Sequence, residues 1–108
     1  MEQSTADEPE VTPTDLTLFQ QEMLYVLADS GSLYGLEIKG QLEQRYSSEV
    51  NHSRLYPNLD ALAEMGLVSK RARDDRTNDY ALTDSGRALL AQDAARRHGI
   101  IFGGERDV

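Results

Sequence analysis

His52, Ser53, Arg54, Tyr56, Pro57 and Asn58 lie in one short run near the middle of a 108-residue chain. They place hydrogen-bond donors, one permanent cation and an aromatic ring at the head of a segment with an apolar stripe. An arginine fork matches the O6 and N7 acceptors of guanine, and an asparagine amide matches adenine. Lys70, Arg71, Arg73 and Arg76 follow in a second run. Cations at that density suit phosphate oxygens or a narrow minor groove. The chemistry common to both runs is recognition of a nucleic-acid duplex. Acids limit it: Asp60 and Glu64 occupy later exposed positions of the first segment and repel phosphate, so only its first two turns can approach DNA. Asp74 and Asp75 thin the basic signal of the second run.

Other chemistries lack their residues. The two histidines, His52 and His98, are far apart, and there is no cysteine. No His, Asp and Glu set has metal-ligand spacing. Asp84-Ser85 and the glycines form no phosphate loop, and Ser and His residues are present but suggest no catalytic triad. No catalytic residue, no metal and no cofactor is expected, and the chain does not read as an enzyme. Without cysteine there is also no disulfide and no thiol switch.

The elements that must position these residues follow from periodicity. Thr12-Pro13-Thr14-Asp15 reads as a helix start, with Thr12 as cap and Pro13 in the first turn. Leu16, Phe19, Met23, Val26 and Leu27 then form one stripe, ended by Ser30-Gly31-Ser32. A second helix fits 34–46, with Tyr34, Ile38 and Leu42 on one face. A third covers about 53–65, with Leu55, Leu59 and Leu62 inward and Asn51 or Ser53 as cap. Pro57 favours the later start, because a prolyl residue is tolerated in a first turn and costs about 3 kcal/mol in a helix interior. Gly66 supplies a left-handed stop. Residues 67–73 and 79–83 read as two strands around a polar turn. Thr83 caps a last helix, about 84–98, with Leu89, Leu90, Ala94 and Ala95 on its apolar side.

The expected fold is therefore α+β and mostly helical, a winged helix-turn-helix in the order α-α-α-β-β-α. Its N- and C-terminal helices would meet in a dimer interface. Residues 1–11 read as an acidic flexible arm, 12–98 as the domain, and 99–108 as a short C-terminal tail. Leu16, Phe19, Leu90, Ala94, Ile100, Ile101 and Phe102 are the candidate seam, since so small a domain leaves Ile100-Ile101-Phe102 little to pack on.

Nineteen acids against eleven bases leave a net charge of −8, and only two of the bases are lysines. Dense carboxylates with few lysines point to a protein adapted to molar salt. The acidity is uneven: residues 1–49 carry ten acids and two bases, residues 50–108 nine of each. The neutral half holds both basic runs, so the acidic half must face away from a duplex. No long apolar run suggests a membrane span, and Met1-Glu2-Gln3-Ser4 lacks the features of a secretory signal. A cytoplasmic location is expected.

Three segments resemble the PadR-like family of winged-helix transcription regulators. They are Leu33-Tyr34-Gly35-Leu36-Glu37-Ile38, Leu55-Tyr56-Pro57 through Gly66-Leu67-Val68, and Tyr80-Ala81-Leu82-Thr83 with Gly86 and Leu90. The resemblance implies a dimeric DNA-binding regulator whose Tyr56-Pro57 helix reads the major groove. The chain departs from the family in two places. Asp74-Asp75-Arg76-Thr77-Asn78-Asp79 stands where many members carry Gly-Arg and further basic residues. One helix and a short tail stand where many carry a long dimerisation helix.

The expected partners are double-stranded DNA, a second copy of the chain and the basal transcription machinery, with no membrane. Two alternatives stay open: a winged helix used to dock a protein, and a regulator gated by a ligand at the dimer seam.

Overall fold

The computed structural model describes residues 11–103. Nearly all of the expected arm, and residues 104–108 of the expected tail, lie outside them. A short 3-10 helix, Pro13–Asp15, precedes α1 (Leu18–Ser30), β1 (Leu33–Tyr34), α2 (Gly35–Tyr46), α3 (His52–Glu64), β2 (Val68–Ala72), β3 (Asn78–Leu82) and α4 (Asp84–Phe102).

The single first helix expected from Thr12 is in fact two elements. The Thr12 amide donates to Asp15 Oδ2 at 2.8 Å, but this box closes only the 3-10 turn. Leu16 then returns to extended backbone. A second box starts α1: Gln20 N–H donates to Thr17 Oγ1, and Thr17 N–H to Gln20 Oε1, both at 3.1 Å. Thr17-x-x-Gln20 is itself a capping-box pattern, so the signal was present and the earlier box masked it. Gly31, at φ +83°, ends the helix.

Strand β1 was not expected. Two residues cannot show alternation, and only the sheet reveals them. Leu33 pairs with Tyr80 and Tyr34 with Asp79, antiparallel. β2 pairs on the other side, Val68 with Leu82 through Ala72 with Asn78, so β3 is central in the order β1-β3-β2. Tyr80, in the middle of the central strand, is accordingly buried.

The third helix starts earlier than expected, with Asn51 at the N-cap position: its backbone carbonyl accepts from the amides of Arg54 and Leu55, while its side chain makes no capping hydrogen bond. Pro57 is therefore its sixth residue, inside the helix rather than in the first turn. Lacking an N–H, Pro57 leaves the carbonyl of Ser53 without its helical donor. Ser53 is exposed, so water can satisfy that oxygen. Gly66, at φ +79°, forms the expected left-handed stop.

The stripes meet in one core. Phe19, Met23, Leu24, Val26 and Leu27 of α1 pack with Ile38 and Leu42 of α2, with Leu55, Leu59 and Leu62 of α3, and with Leu67, Val68, Tyr80, Leu89 and Leu90. Leu16, Phe19 and Leu90, expected at a dimer seam, are buried in this protomer core, so they are unavailable to a partner without unpacking it. The base of α4 is fastened where Thr83 Oγ1 donates to the Gly66 carbonyl at 2.7 Å and accepts from the Gly86 amide at 3.0 Å. There Gly86 passes so near the chain that an added Cβ would stand 2.2 Å from the Leu67 carbonyl oxygen.

Beyond Leu90, α4 differs from the expected apolar pattern. Ala94 and Ala95 are exposed, and Asp93 takes the inward position. Asp93 accepts from Arg96 at 3.0 Å, from Arg97 at 2.9 Å and from the Tyr25 hydroxyl of α1 at 3.3 Å. The helix also runs through Gly99 to Phe102, where a tail was expected. One glycine weakens a helix by about 1 kcal/mol without having to stop it. Ile100 and Ile101 remain 70% and 69% exposed, and Phe102 47%.

Candidate nucleic-acid interface

The first turns of α3 present His52, Ser53, Arg54 and Pro57 to solvent, with Tyr56 and Asn58 half-buried. Three contacts hold this surface in place. Arg54 lies over the Phe19 ring, 3.9 Å from its centroid, and Phe19 stacks in turn on Tyr46 at 6.3 Å. Stacking occupies the face of the guanidinium and leaves its N–H edge free, a prearranged donor fork. His52 meets Tyr56 edge-on at 5.8 Å. Tyr56 fits into a notch left by Gly35, where a Cβ would come within 2.4 Å of its hydroxyl. That notch explains why a Tyr-Gly pair opens α2.

Asn58 behaves differently from the expectation. Its Oδ1 accepts from Gln20 Nε2 at 2.9 Å, and its Nδ2 donates to the Arg54 carbonyl at 2.7 Å. Each end of the amide is engaged once within the protein, so a bidentate bond to adenine would have to use its remaining N–H and lone pair from this held orientation. Asn58 ties α3 to α1. The sequence had no means of showing this, because Gln20 lies 38 residues away.

The hairpin cations separate into two settings. Lys70 reaches across to α3, its Nζ 3.1 Å from Asp60 Oδ1, and this hydrogen bond holds its pKa above the ordinary lysine value. By strand alternation Arg71 points to the opposite face. Arg73 pairs with Asp79 and lies over the Tyr34 ring, 4.7 Å from its centroid, bracing the hairpin against β1. Arg71 and Arg76 are exposed and form no ion pair with the described residues. Asp74 does not simply oppose them: its Oδ1 accepts the amides of Arg76 and Thr77 at 2.9 and 2.8 Å, closing the turn. The Arg76 amide chiefly, with Thr77, holds the Asp74 carboxyl below its ordinary pKa.

Helix and hairpin share a cleft of about 260 Å³, lined by Tyr34, Gly35, Tyr56, Asp60, Lys70 and Arg76 among others. Of the two runs singled out in the sequence, Tyr56 from the first and Lys70 and Arg76 from the second thus meet at this cleft. Of the expected seam, Ala94, Ile100, Ile101 and Phe102 are exposed on α4, away from the protomer core. Among the described residues no group of His, Asp and Glu could hold a metal ion. No described helix is long and apolar enough to cross a membrane.

A helix pair, a third helix with a polar head and a two-stranded hairpin on a small antiparallel sheet define a winged helix-turn-helix domain. The model of the transcriptional regulator PadR-like family matches residues 23–92, and the chain belongs to that family. H. salinarum RosR, in crystals grown from NaBr, is 48% identical over 82% of this chain and 79% of that one, with a TM-score of 0.79. The hsRosR-S1 complex is 49% identical, covering 80% of this chain and 76% of that one, at 0.77. F93 from STIV, described as a winged-helix DNA-binding protein, shares the fold alone: 17% identity over 81% and 95% of the two chains, TM-score 0.67. No curated protein matches the sequence. The chain is a PadR-like winged-helix transcription regulator and not an enzyme.

Proposed function

We propose that the chain is a sequence-specific DNA-binding regulator that works as a homodimer at high salt in the cytoplasm. The observation that carries this is the cleft between α3 and the hairpin, lined by Tyr56 from α3 and by Lys70 and Arg76 from the hairpin, with His52, Ser53, Arg54 and Pro57 exposed on the same first turns of α3. The head of α3 enters the major groove, where the Arg54 fork meets a guanine edge. Arg76 and Lys70 hold the backbone beside it, and Arg71 holds a phosphate on the far side of the wing. Arg73 and Asn58 set the positions of these groups from within the protein.

The exposed Ile100, Ile101 and Phe102 support the dimer. A second copy packed there, with Ala94 permitting close helix approach, would present two α3 heads about one DNA turn apart. Regulation follows if bound dimer competes with, or positions, the basal transcription machinery. The acidic, lysine-poor composition supports a high-salt setting.

Genome-wide DNA pull-down in molar KCl, followed by fluorescence anisotropy on the enriched duplex, tests this reading. Arg71→Ala and Arg76→Ala should each weaken binding, with fold and dimer mass unchanged. Enrichment of no genomic sequence would refute it and favour a winged helix that docks a protein. The ligand-gated alternative has a groove to draw on at the root of α4, lined by Val11, Met65, Leu67 and Leu89. A thermal shift with a metabolite pool in high salt would support it.

A further inference from the structure

The cleft between α3 and the wing contains a carboxylate that a phosphate-binding surface does not need. Asp60 is the one acid among its described lining residues, and it bonds Lys70, the one lysine there. Asp60 lies one helical turn beyond Tyr56 on the same face of α3. The other groups around the cleft are neutral or cationic: Tyr34, Tyr56, Thr77, Asn78, Tyr80 and Arg76. The pair is 41% and 55% exposed at its two side chains. Pairs of that exposure contribute little to folding, so the fold does not require Asp60.

We propose that Asp60 competes within the protein for Lys70 against the DNA phosphate that Lys70 and Arg76 hold in this cleft. The proposal rests on the DNA-binding reading above and deepens it. Binding at this point is an exchange. Lys70 leaves the carboxylate for a backbone phosphate, and the freed Asp60 takes a cation from solution. A lysine that neutralises a phosphate normally releases about 0.9 of a counterion. Cation uptake by Asp60 cancels most of that release. The device lowers affinity and flattens its dependence on salt, which suits a regulator that must bind and let go where salt is concentrated.

Anisotropy titrations on the enriched duplex across a KCl series test this, with folding checked by circular dichroism at each salt. Asp60→Asn should bind about 2- to 5-fold tighter, the range an exposed pair of this strength allows. The slope of log affinity against log salt should steepen by about one. In a Lys70→Met background Asp60→Asn should change little. Glu64→Gln, one turn further on, should produce a smaller effect on both quantities. Unchanged binding by Asp60→Asn, an equal gain without Lys70, or an equal gain from Glu64→Gln would each overturn the proposal. Weaker binding confined to sites with one particular C·G pair would also overturn it, because Asp60 would then be reading cytosine. Failure of the unaltered protein to bind any duplex would remove the DNA reading itself, a result distinct from all of these.

Discussion

Gly35 and Gly40 lie on the same helix, and the same substitution at the two positions should have opposite effects. At Gly35 a Cβ would stand 2.4, 2.7 and 2.8 Å from Oη, Cε1 and Cζ of Tyr56. Carbon contacts are comfortable only from about 3.5 Å, so the ring must retreat by on the order of 1 Å. Overpacking of this kind costs about 1–3 kcal/mol. The better helix propensity of alanine offsets at most about 1 kcal/mol. Gly35→Ala should therefore destabilise by about 1–2 kcal/mol. At Gly40 nothing lies within 4 Å of the new methyl group. Gly40→Ala should stabilise by about 0.5–1 kcal/mol. In a domain of this size each 1 kcal/mol moves Tm by roughly 4–8 °C, so thermal melts at one protein concentration in KCl resolve the two signs. Because Tyr56 belongs to the head of α3 that we propose faces DNA, Gly35→Ala should also weaken duplex binding, while Gly40→Ala leaves it unchanged. A double-mutant cycle isolates the contact: in a Tyr56→Ala background Gly35→Ala should lose its penalty, a coupling of about 0.5–3 kcal/mol. Equal melting and equal binding by Gly35→Ala and the unaltered protein would refute the notch.

Further outcomes follow from other contacts. Thr17→Ala should cost about 0.5–2 kcal/mol in denaturant unfolding through loss of the α1 cap. Thr12→Ala should cost clearly less, because its box closes only a 3-10 turn; equal losses would contradict the two-element start. Gly86→Ala collides with backbone rather than a side chain, and should destabilise more than Gly35→Ala in the same melts. Burial raises the pKa of Asp93, but the hydrogen bonds from Arg97 and Arg96 outweigh it and hold the carboxyl below its ordinary 3.8. A depressed folded-state pKa contributes stability above the unfolded value and loses it as pH falls through the folded one. Asp93→Asn should therefore flatten the loss of stability on acidification below about pH 4; an unchanged acid limb in pH-dependent melts would count against the contact.

Much of this protein was legible without coordinates. The stripes of α1, α2 and α3, the Gly66 stop and the hairpin each rest on local rules: helical spacing, a left-handed glycine, strand alternation; the PadR-like motifs rest on resemblance to a family. Local rules failed where two signals competed, as at Thr12 and Thr17, or where an element was too short to show a pattern, as at β1. Pro57 misplaced the helix start because its penalty is real but can be offset by packing of Leu55, Leu59 and Leu62.

The candidate site divides along the same line. Residue types alone determined that the head of α3 and the hairpin carry the donors and cations, since charge and hydrogen-bonding capacity belong to the side chain itself. Which of those groups are free was decided only by tertiary structure. Asn58 is held by Gln20, Arg73 by Asp79 across the hairpin and by the Tyr34 ring, and Lys70 by Asp60 of α3, each through a partner on another element. Leu16, Phe19 and Leu90 likewise went to the core rather than the seam. A side chain's chemistry is intrinsic, but its availability depends on what the fold brings within about 3 Å of it.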